Sequence, residues 1–301
     1  MDAPATTTYP DALRQEIERY LDGLRFARTA PTQGLEDAMR YSLLAGGKRI
    51  RPVLALATAN AVGVPHEDVL PYAAALELIH TYSLIHDDLP AMDDDALRRG
   101  RPTCHVKYGE DVAILAGDAL YAEAFHLLLR APAPPGSGPA HVLAAAAELA
   151  GATGVDGMVG GQYVDVAGSA RTAEDLRALH ALKTGRLIGA SVVGVLLLAG
   201  MDEPATMRYR QYAAELGVLF QIVDDILDVT GTDADLGKPQ GSDERHGKRT
   251  YVSEFGLDGA RELAAQCHRD ARATLAEATA GQNGSATELQ QITDFILTRT
   301  A

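Results

Sequence analysis

Leu216-Gly217-Val218-Leu219-Phe220-Gln221-Ile222-Val223-Asp224-Asp225-Ile226-Leu227-Asp228 is an apolar run that closes on three carboxylates. Wound as a helix, it sets Asp224 and Asp228 one turn apart on the same face, with the apolar Ile226 and Leu227 between them. A charge run ordinarily faces water, but carboxylates embedded in an apolar helix must be paired or bound to a metal, because a stranded buried charge is costly. Working outward, the same composition recurs upstream, where the apolar segment Ala73 to Ile85 runs into Asp87, Asp88, Asp93, Asp94 and Asp95. Helical spacing extends to the ends of the chain. Leu13, Ile17, Tyr20, Leu21 and Leu24 form one amphipathic stripe, and Leu176, Leu179, Lys183 and Leu187 form another. Thr172 and Asp175 precede the second stripe at capping-box spacing. No run of alternating apolar and polar residues is flanked by turn signals, so the expected fold class is all-α.

Proline and glycine divide the helices. Residues Ala131 to Pro139 cannot continue a helix, and Gly231 to Gly247 lacks an apolar stripe. Gly281 to Ser285 interrupts the polar C-terminal segment. Apolar helical pattern resumes on both sides of the first break, so residues 1–301 are expected to form a single domain. The longest apolar run, Leu187 to Met201, falls short of the roughly 20 residues that span a bilayer, and no membrane span is expected. Its glycines, Gly189 and Gly194, would let a neighbouring helix approach closely.

The chain carries a formal charge of −14, which argues against a nucleic-acid partner. Two cysteines, Cys104 and Cys267, provide no disulfide framework, and Met1 to Tyr9 has no secretory character, so the expected location is the cytoplasm.

Within this acidic chain the cations are concentrated. Gly46-Gly47-Lys48-Arg49-Ile50-Arg51-Pro52 places three of them after a flexible glycine pair, and Arg98, Arg99 and Arg101 supply a second set. Arginine forks and lysine point charges are the groups that diphosphate recognition needs. Lys183, Lys238 and Lys248 are more dispersed. His80 and Ser83 precede Asp87 by seven and four residues, which puts all three near one helical face. Gly160-Gly161-Gln162 with Asp165, and Phe220-Gln221, add neutral donors. Hard-oxygen clusters of this kind, without His or Cys partners, suit Mg²⁺, and Mn²⁺ could substitute. A faint internal echo is visible: Asp87-Asp88-Leu89-Pro90 is followed by Arg98 to Pro102, and Asp224-Asp225-Ile226-Leu227 by Leu236-Gly237-Lys238-Pro239.

These segments, with Lys183-Thr184-Gly185 and Gly247-Lys248-Arg249-Thr250-Tyr251, resemble the ordered motif set of the trans-isoprenyl diphosphate synthases from about Leu35 to Tyr251. The stretch Tyr82 to Gly100 looks like the bacterial short-chain farnesyl diphosphate synthases. One departure is Val252, where the family usually has proline.

The resemblance implies a helical bundle around a central cleft, of the class I isoprenoid synthase type, and a set of expected roles. Asp87, Asp93 and Asp224 would hold a cluster of three Mg²⁺ ions, with Asp88, Asp225 and Asp228 in support. Arg98, Lys183, Gln221 and Lys238 would contact an allylic diphosphate. Gly47, Lys48, Arg51, His80 and Arg99 would take the diphosphate of isopentenyl diphosphate, and Thr184 and Lys248 would lie near the departing group. The implied reaction is prenyl transfer in a homodimer. Ionisation of the allylic diphosphate, attack by the isopentenyl double bond and loss of a proton release pyrophosphate. Tyr82 and Ser83 occupy the positions that limit chain length, which points to farnesyl diphosphate. Geranylgeranyl diphosphate remains the alternative, because helical geometry sets Tyr82 about 140° from Asp87 and leaves room near Ala119 and Ala122. A terpene cyclase or a non-catalytic subunit of a heteromeric synthase is more remote, since the second cation set and both aspartate motifs are present.

Overall fold

A computed structural model of the chain describes residues 9–231, 249–282 and 284–299. Helices account for almost all of its regular structure: α1 Asp11–Gly23, α2 Gln33–Leu43, α3 Ile50–Val62, α4 His66–Asp87, α5 Cys104–Tyr108, α6 Glu110–Arg130, α7 Pro139–Thr153, α8 Met158–Val166, α9 Ala173–His180, α10 Arg186–Leu198, α11 Glu203–Thr230, α12 Tyr251–Thr279 and α13 Thr287–Thr298. The one departure from an all-α reading is a hairpin of two-residue strands, β1 Leu97–Arg98 and β2 Arg101–Pro102. Its turn residues Arg99 and Gly100 both have positive φ, 53° and 71°, the pairing that a tight two-residue hairpin requires. Strands this short leave no alternating pattern to read.

The helix boundaries follow local chemistry. The Thr172 hydroxyl accepts the Asp175 N–H at 3.1 Å while the Asp175 carboxylate accepts the Thr172 N–H at 2.9 Å, so the capping box opens α9 as the spacing predicts. Asp202 caps α11 through the Ala205 N–H. Residues 131–138 are non-helical, and Pro139 starts α7 at the first position, where a missing N–H costs nothing.

The core is one contiguous cluster from Tyr9 to Ile296. At its centre lies α10, whose residues Leu187 to Leu198 are nearly all buried among α3, α7 and α11. Gly194 is what lets α4 approach: a Cβ there would stand 1.9 Å from the Tyr72 hydroxyl oxygen, which donates to the Ala190 carbonyl at 2.7 Å. Gly189 has no such role, because nothing lies within 4 Å of a Cβ built on it.

Three helical stretches, Glu110–Arg130, Pro139–Val166 and Ala173–Leu198, are long and apolar enough to cross a membrane by length and composition. Counting one uninterrupted apolar run in the sequence understates them, since each run was ended by its first charged or polar residue.

The two glycines should separate in chemical denaturation. Gly194→Ala overpacks the α4–α10 contact and is expected to cost about 1–3 kcal/mol. Gly189→Ala is expected to gain up to about 1 kcal/mol through helix propensity.

Candidate active site

Two cavities meet along the inner ends of α4, α8 and α11. One, of about 550 Å³, is lined by Met92, Asp93, Asp165, Lys183, Gln221 and Asp225 among others. The other, of about 460 Å³, is lined by Arg51, His80, Tyr82, Ser83, Asp87 and Thr184 together with apolar side chains. Met92, Val166 and Lys183 border both.

Within each aspartate pair, the two members have different surroundings. Asp88 is 3 % exposed and accepts a fork from Arg98, with Nε at 2.8 and 3.0 Å and Nη2 at 2.6 Å. Asp225 is 1 % exposed, accepting the Gln221 amide at 2.8 Å and the Tyr251 N–H at 2.6 Å. The second member of each pair is thus tied into the protein. Asp87 lines the apolar-walled cavity, and Asp224 is the more exposed partner of Arg299. Asp93 lines the larger cavity, and Asp228 is buried on α11.

Charge and burial set the protonation of this wall. Burial pushes the Asp87 carboxyl up to about 6, with Asp93 and Asp88 adding to the shift and Lys183 and Arg98 opposing it. His80 is driven well below its ordinary value, first by burial and then by Arg51 and Arg99, so its ring is neutral at pH 7. Burial also lowers Arg51, against the pull of Glu77 and Asp224.

The cations divide into two sets. A Cβ on Gly47 would meet the Arg99 guanidinium carbon at 2.6 Å, and Gly47 itself has φ 121°. The Arg99 guanidinium donates to the Gly46 carbonyl, so Gly47 leaves the space that seats Arg99, while Gly46, with nothing within 4 Å of a Cβ, answers only to its φ of 83°. Arg51 and His80 line the cavity beside it. The exposed Lys48 has its ammonium 5.4 Å from the Phe295 ring centre on α13. On the opposite side, Lys183 pairs with Asp165 at 2.6 Å. Arg49, from the same sequence motif as Lys48, belongs to neither set: it is buried against Glu18 and Glu77. Lys238 and Lys248 lie outside the described residues.

Lys183 and Thr184 are delivered by a π-helical turn, Ala181–Gly185. The periodicity reads as an uninterrupted helix from Thr172, and the inserted turn corrects that expectation. Such turns are rare outside functional sites. Two close approaches make room for this one. A Cβ on Gly161 would stand 2.3 Å from the Lys183 nitrogen, and one on Gly217 would stand 2.9 Å from the Gly185 Cα. The Thr184 hydroxyl then donates to the Gln221 carbonyl oxygen at 3.0 Å, and the Gln221 amide donates to Asp225. This chain fixes which end of the Gln221 amide faces which partner.

Sequence reasoning missed Arg299, whose guanidinium bonds both the Phe220 carbonyl and Asp224. No local pattern links positions 75 residues apart.

Asp87 and Asp93 from one wall and Asp225 from α11 line the cavities, with Asp224 beside it meeting Arg299; these are the oxygen donors that could hold a metal. Among the described residues, no three His, Cys, Asp or Glu side chains converge into a cage. A hard-oxygen donor set divided across a cleft fits a cation such as Mg²⁺, which keeps waters and completes its shell with the oxygens of an anionic ligand.

Comparison with known proteins agrees with this geometry. The polyprenyl synthetase family model matches residues 32–294. The farnesyl diphosphate synthase of Escherichia coli is 44 % identical over 288 residues, covering 95 % of this chain and 94 % of that one. A chloroplastic geranylgeranyl pyrophosphate synthase of Capsicum annuum is 48 % identical over 244 residues, covering 80 % of this chain. The match spans 66 % of that plastid protein's length. Among solved structures, the geranyltransferase of Helicobacter pylori complexed with magnesium and isoprenyl diphosphate superposes with a TM-score of 0.83 at 32 % identity, covering 99 % of this chain and 97 % of that one.

The raised Asp87 value carries a pH signature. Its folded value of about 6 lies above the ordinary 3.8, so the folded protein holds an extra proton between these values and loses stability as pH rises through that window. In EDTA, Asp87→Asn is expected to melt with wild type near pH 4 and roughly 2–4 °C above it at pH 7.

Proposed function

Because this chain belongs to the polyprenyl synthetase family of prenyltransferases, we propose that it condenses isopentenyl diphosphate with dimethylallyl and geranyl diphosphates to give farnesyl diphosphate and pyrophosphate. The observation that carries this reading is the presence of two separate cation sets on one cleft. Arg51 and His80 line the smaller cavity, with Arg99 seated against Gly47, while Lys183 borders both cavities and pairs with Asp165. One diphosphate needs one such set; two diphosphates in one reaction need both. A terpene cyclase would need only one, and a non-catalytic subunit has no need for two intact aspartate pairs.

In the proposed reaction, Asp87, Asp93 and Asp224 hold Mg²⁺, which when bound neutralises charge on the departing diphosphate. Lys183 and Arg98 add positive charge to the same leaving group, and Thr184 and Gln221 are positioned beside it. The C1–O bond of the allylic substrate breaks, the isopentenyl double bond forms a C–C bond to C1, and a proton leaves to the departed pyrophosphate. Arg51, His80 and Arg99 with Lys48 keep the isopentenyl diphosphate in place while its far end reacts. His80 serves there as a neutral hydrogen-bonding ring. The apolar walls of the smaller cavity take the growing chain and keep water out.

The proposed product length rests on Tyr82. Its ring, buried to 8 % exposure, meets Tyr121 edge-on at 5.1 Å, and Tyr121 meets Phe125 at 5.4 Å. This aromatic stack favours a C15 floor. The second reading, a C20 geranylgeranyl product, is supported by the identity to the Capsicum annuum synthase.

The remaining expectations belong to this proposal. Residues 1–301 act as one domain, in keeping with a core that joins Tyr9 to Ile296. The exposed Ile114, Leu115 and Leu129 on α6 are suited to a homodimer contact. Asp118 and Glu123 in the middle of α6 and the buried inner faces of the apolar helices favour a protein that does not span a membrane. Cys104 and Cys267, both free, suit a cytoplasmic setting.

The test is mass spectrometry of products from isopentenyl diphosphate and Mg²⁺ with dimethylallyl, geranyl or farnesyl diphosphate offered separately. The expected product stops at C15 with farnesyl diphosphate refused, EDTA abolishes turnover, and Asp87→Ala or Asp224→Ala lowers it at least about 100-fold. Tyr82→Ala is expected to shift product to C20 or longer. Efficient C20 formation by wild type would overturn the chain length, and no pyrophosphate release would overturn the reaction.

A further inference from the structure

Arg49 sits in the middle of the Gly46 to Pro52 cation motif, yet its side chain faces the protein instead of the cleft. It is 3 % exposed, and its fork is fully committed. Nε lies 2.7 Å from Glu18 Oε1, Nη1 lies 2.5 Å from Glu77 Oε1, and Nη2 donates to the Leu43 carbonyl at 2.7 Å. The backbone at Arg49 is left-handed, φ 54° and ψ 39°, a conformation that a residue with a Cβ holds only when its surroundings impose it. The loop is fastened at a second point by the Tyr9 hydroxyl, which donates to the Lys48 carbonyl at 2.6 Å.

Glu77 gives this arrangement a direction. It lies on α4 three residues before His80 and ten before Asp87, on the helical face they share. The Arg49–Glu77 bond therefore ties the loop that bears Lys48, and the start of α3 that bears Arg51, to the helix that bears His80 and Asp87. Stability alone does not require buried charge here, because apolar residues of similar volume commonly replace a buried ion pair at little or no cost. A planar fork with three directed bonds does supply register, which a lysine ammonium cannot reproduce.

We propose that Arg49 is a positioning residue: through Glu77 and Glu18 it holds the Gly46–Arg49 loop and the first turn of α3 so that Lys48 and Arg51 meet the diphosphate of isopentenyl diphosphate in register with His80. The inference rests on the function proposed above. The allylic side is insulated from it, because Lys183, Gln221 and Asp225 have their own partners.

The test is steady-state kinetics with each substrate varied in turn. The primary variant is Arg49→Met combined with Glu77→Leu, which removes both members of the buried pair, leaves Glu18 part-exposed and leaves Arg51 with Asp224 as its remaining anionic neighbour. It is expected to raise KM for isopentenyl diphosphate about tenfold while KM for geranyl diphosphate stays within about twofold and the melting temperature within a few degrees. An isopentenyl KM within about twofold of wild type, or equal rises in both KM values, would overturn the inference. Arg49→Lys, which keeps the charge and leaves Glu77 beside Arg51 but loses the fork, is read by the same two criteria, and a rise in isopentenyl KM confined to the double variant would assign the effect to Glu77 and overturn the inference. Wild-type protein that forms no prenyl diphosphate would instead overturn the functional reading itself.

Discussion

Charge taken out of water has to be balanced, and the interior of this bundle is organised around that constraint. Arg98 closes on Asp88, Lys183 on Asp165, Arg49 on Glu77, and the Tyr251 N–H and Gln221 amide on Asp225. All but the Gln221–Asp225 bond, which lies within α11, join different elements, so neutralising the charges also assembles the cleft. Asp87, Arg51 and His80 line the smaller cavity, Asp93 lines the larger, and Lys183 borders both. The two Asp-Asp pairs differ: at the first, Asp88 is closed on Arg98 while Asp87 lines the smaller cavity, whereas at the second the buried Asp225 lines the larger cavity and Asp224 meets Arg299.

Burial then tunes the groups that remain. Asp87 is pushed towards neutrality by its surroundings and by its carboxylate neighbours, a state that a bound cation would relieve. His80 is kept neutral among arginines. The same low-dielectric setting that makes these charges costly would strengthen their grip on a diphosphate, which is why the proposed chemistry needs no nucleophile from the protein.

Glycines decide how near the walls come. Gly161 and Gly217 admit the π-turn between α8 and α11, and Gly47 admits Arg99. In each case a single Cβ would push apart two groups that the site holds together. Backbone strain is found in the same places: Arg49, Asp94 and Arg99 are the described non-glycine residues with positive φ, and all three flank the cleft.

Local periodicity was enough for the helices, because the apolar face of each has to recur every three or four residues if it is to be buried at all. Motif order was enough for the family. The capping box at Thr172 was likewise legible, being settled within four residues. Partner choice was not. That Asp88 and Asp225 are engaged while Asp87 lines the cavity, that Arg49 points inward while Arg51 lines the cavity, and that Arg299 reaches Asp224 all depend on which helices lie side by side. The π-turn belongs with these, because its extra residue is stabilised by glycine contacts from α8 and α11 and leaves no mark in its own periodicity. Spacing along one helix is a local property, whereas the pairing of buried charges is a property of the packed whole, and only the tertiary structure decided it.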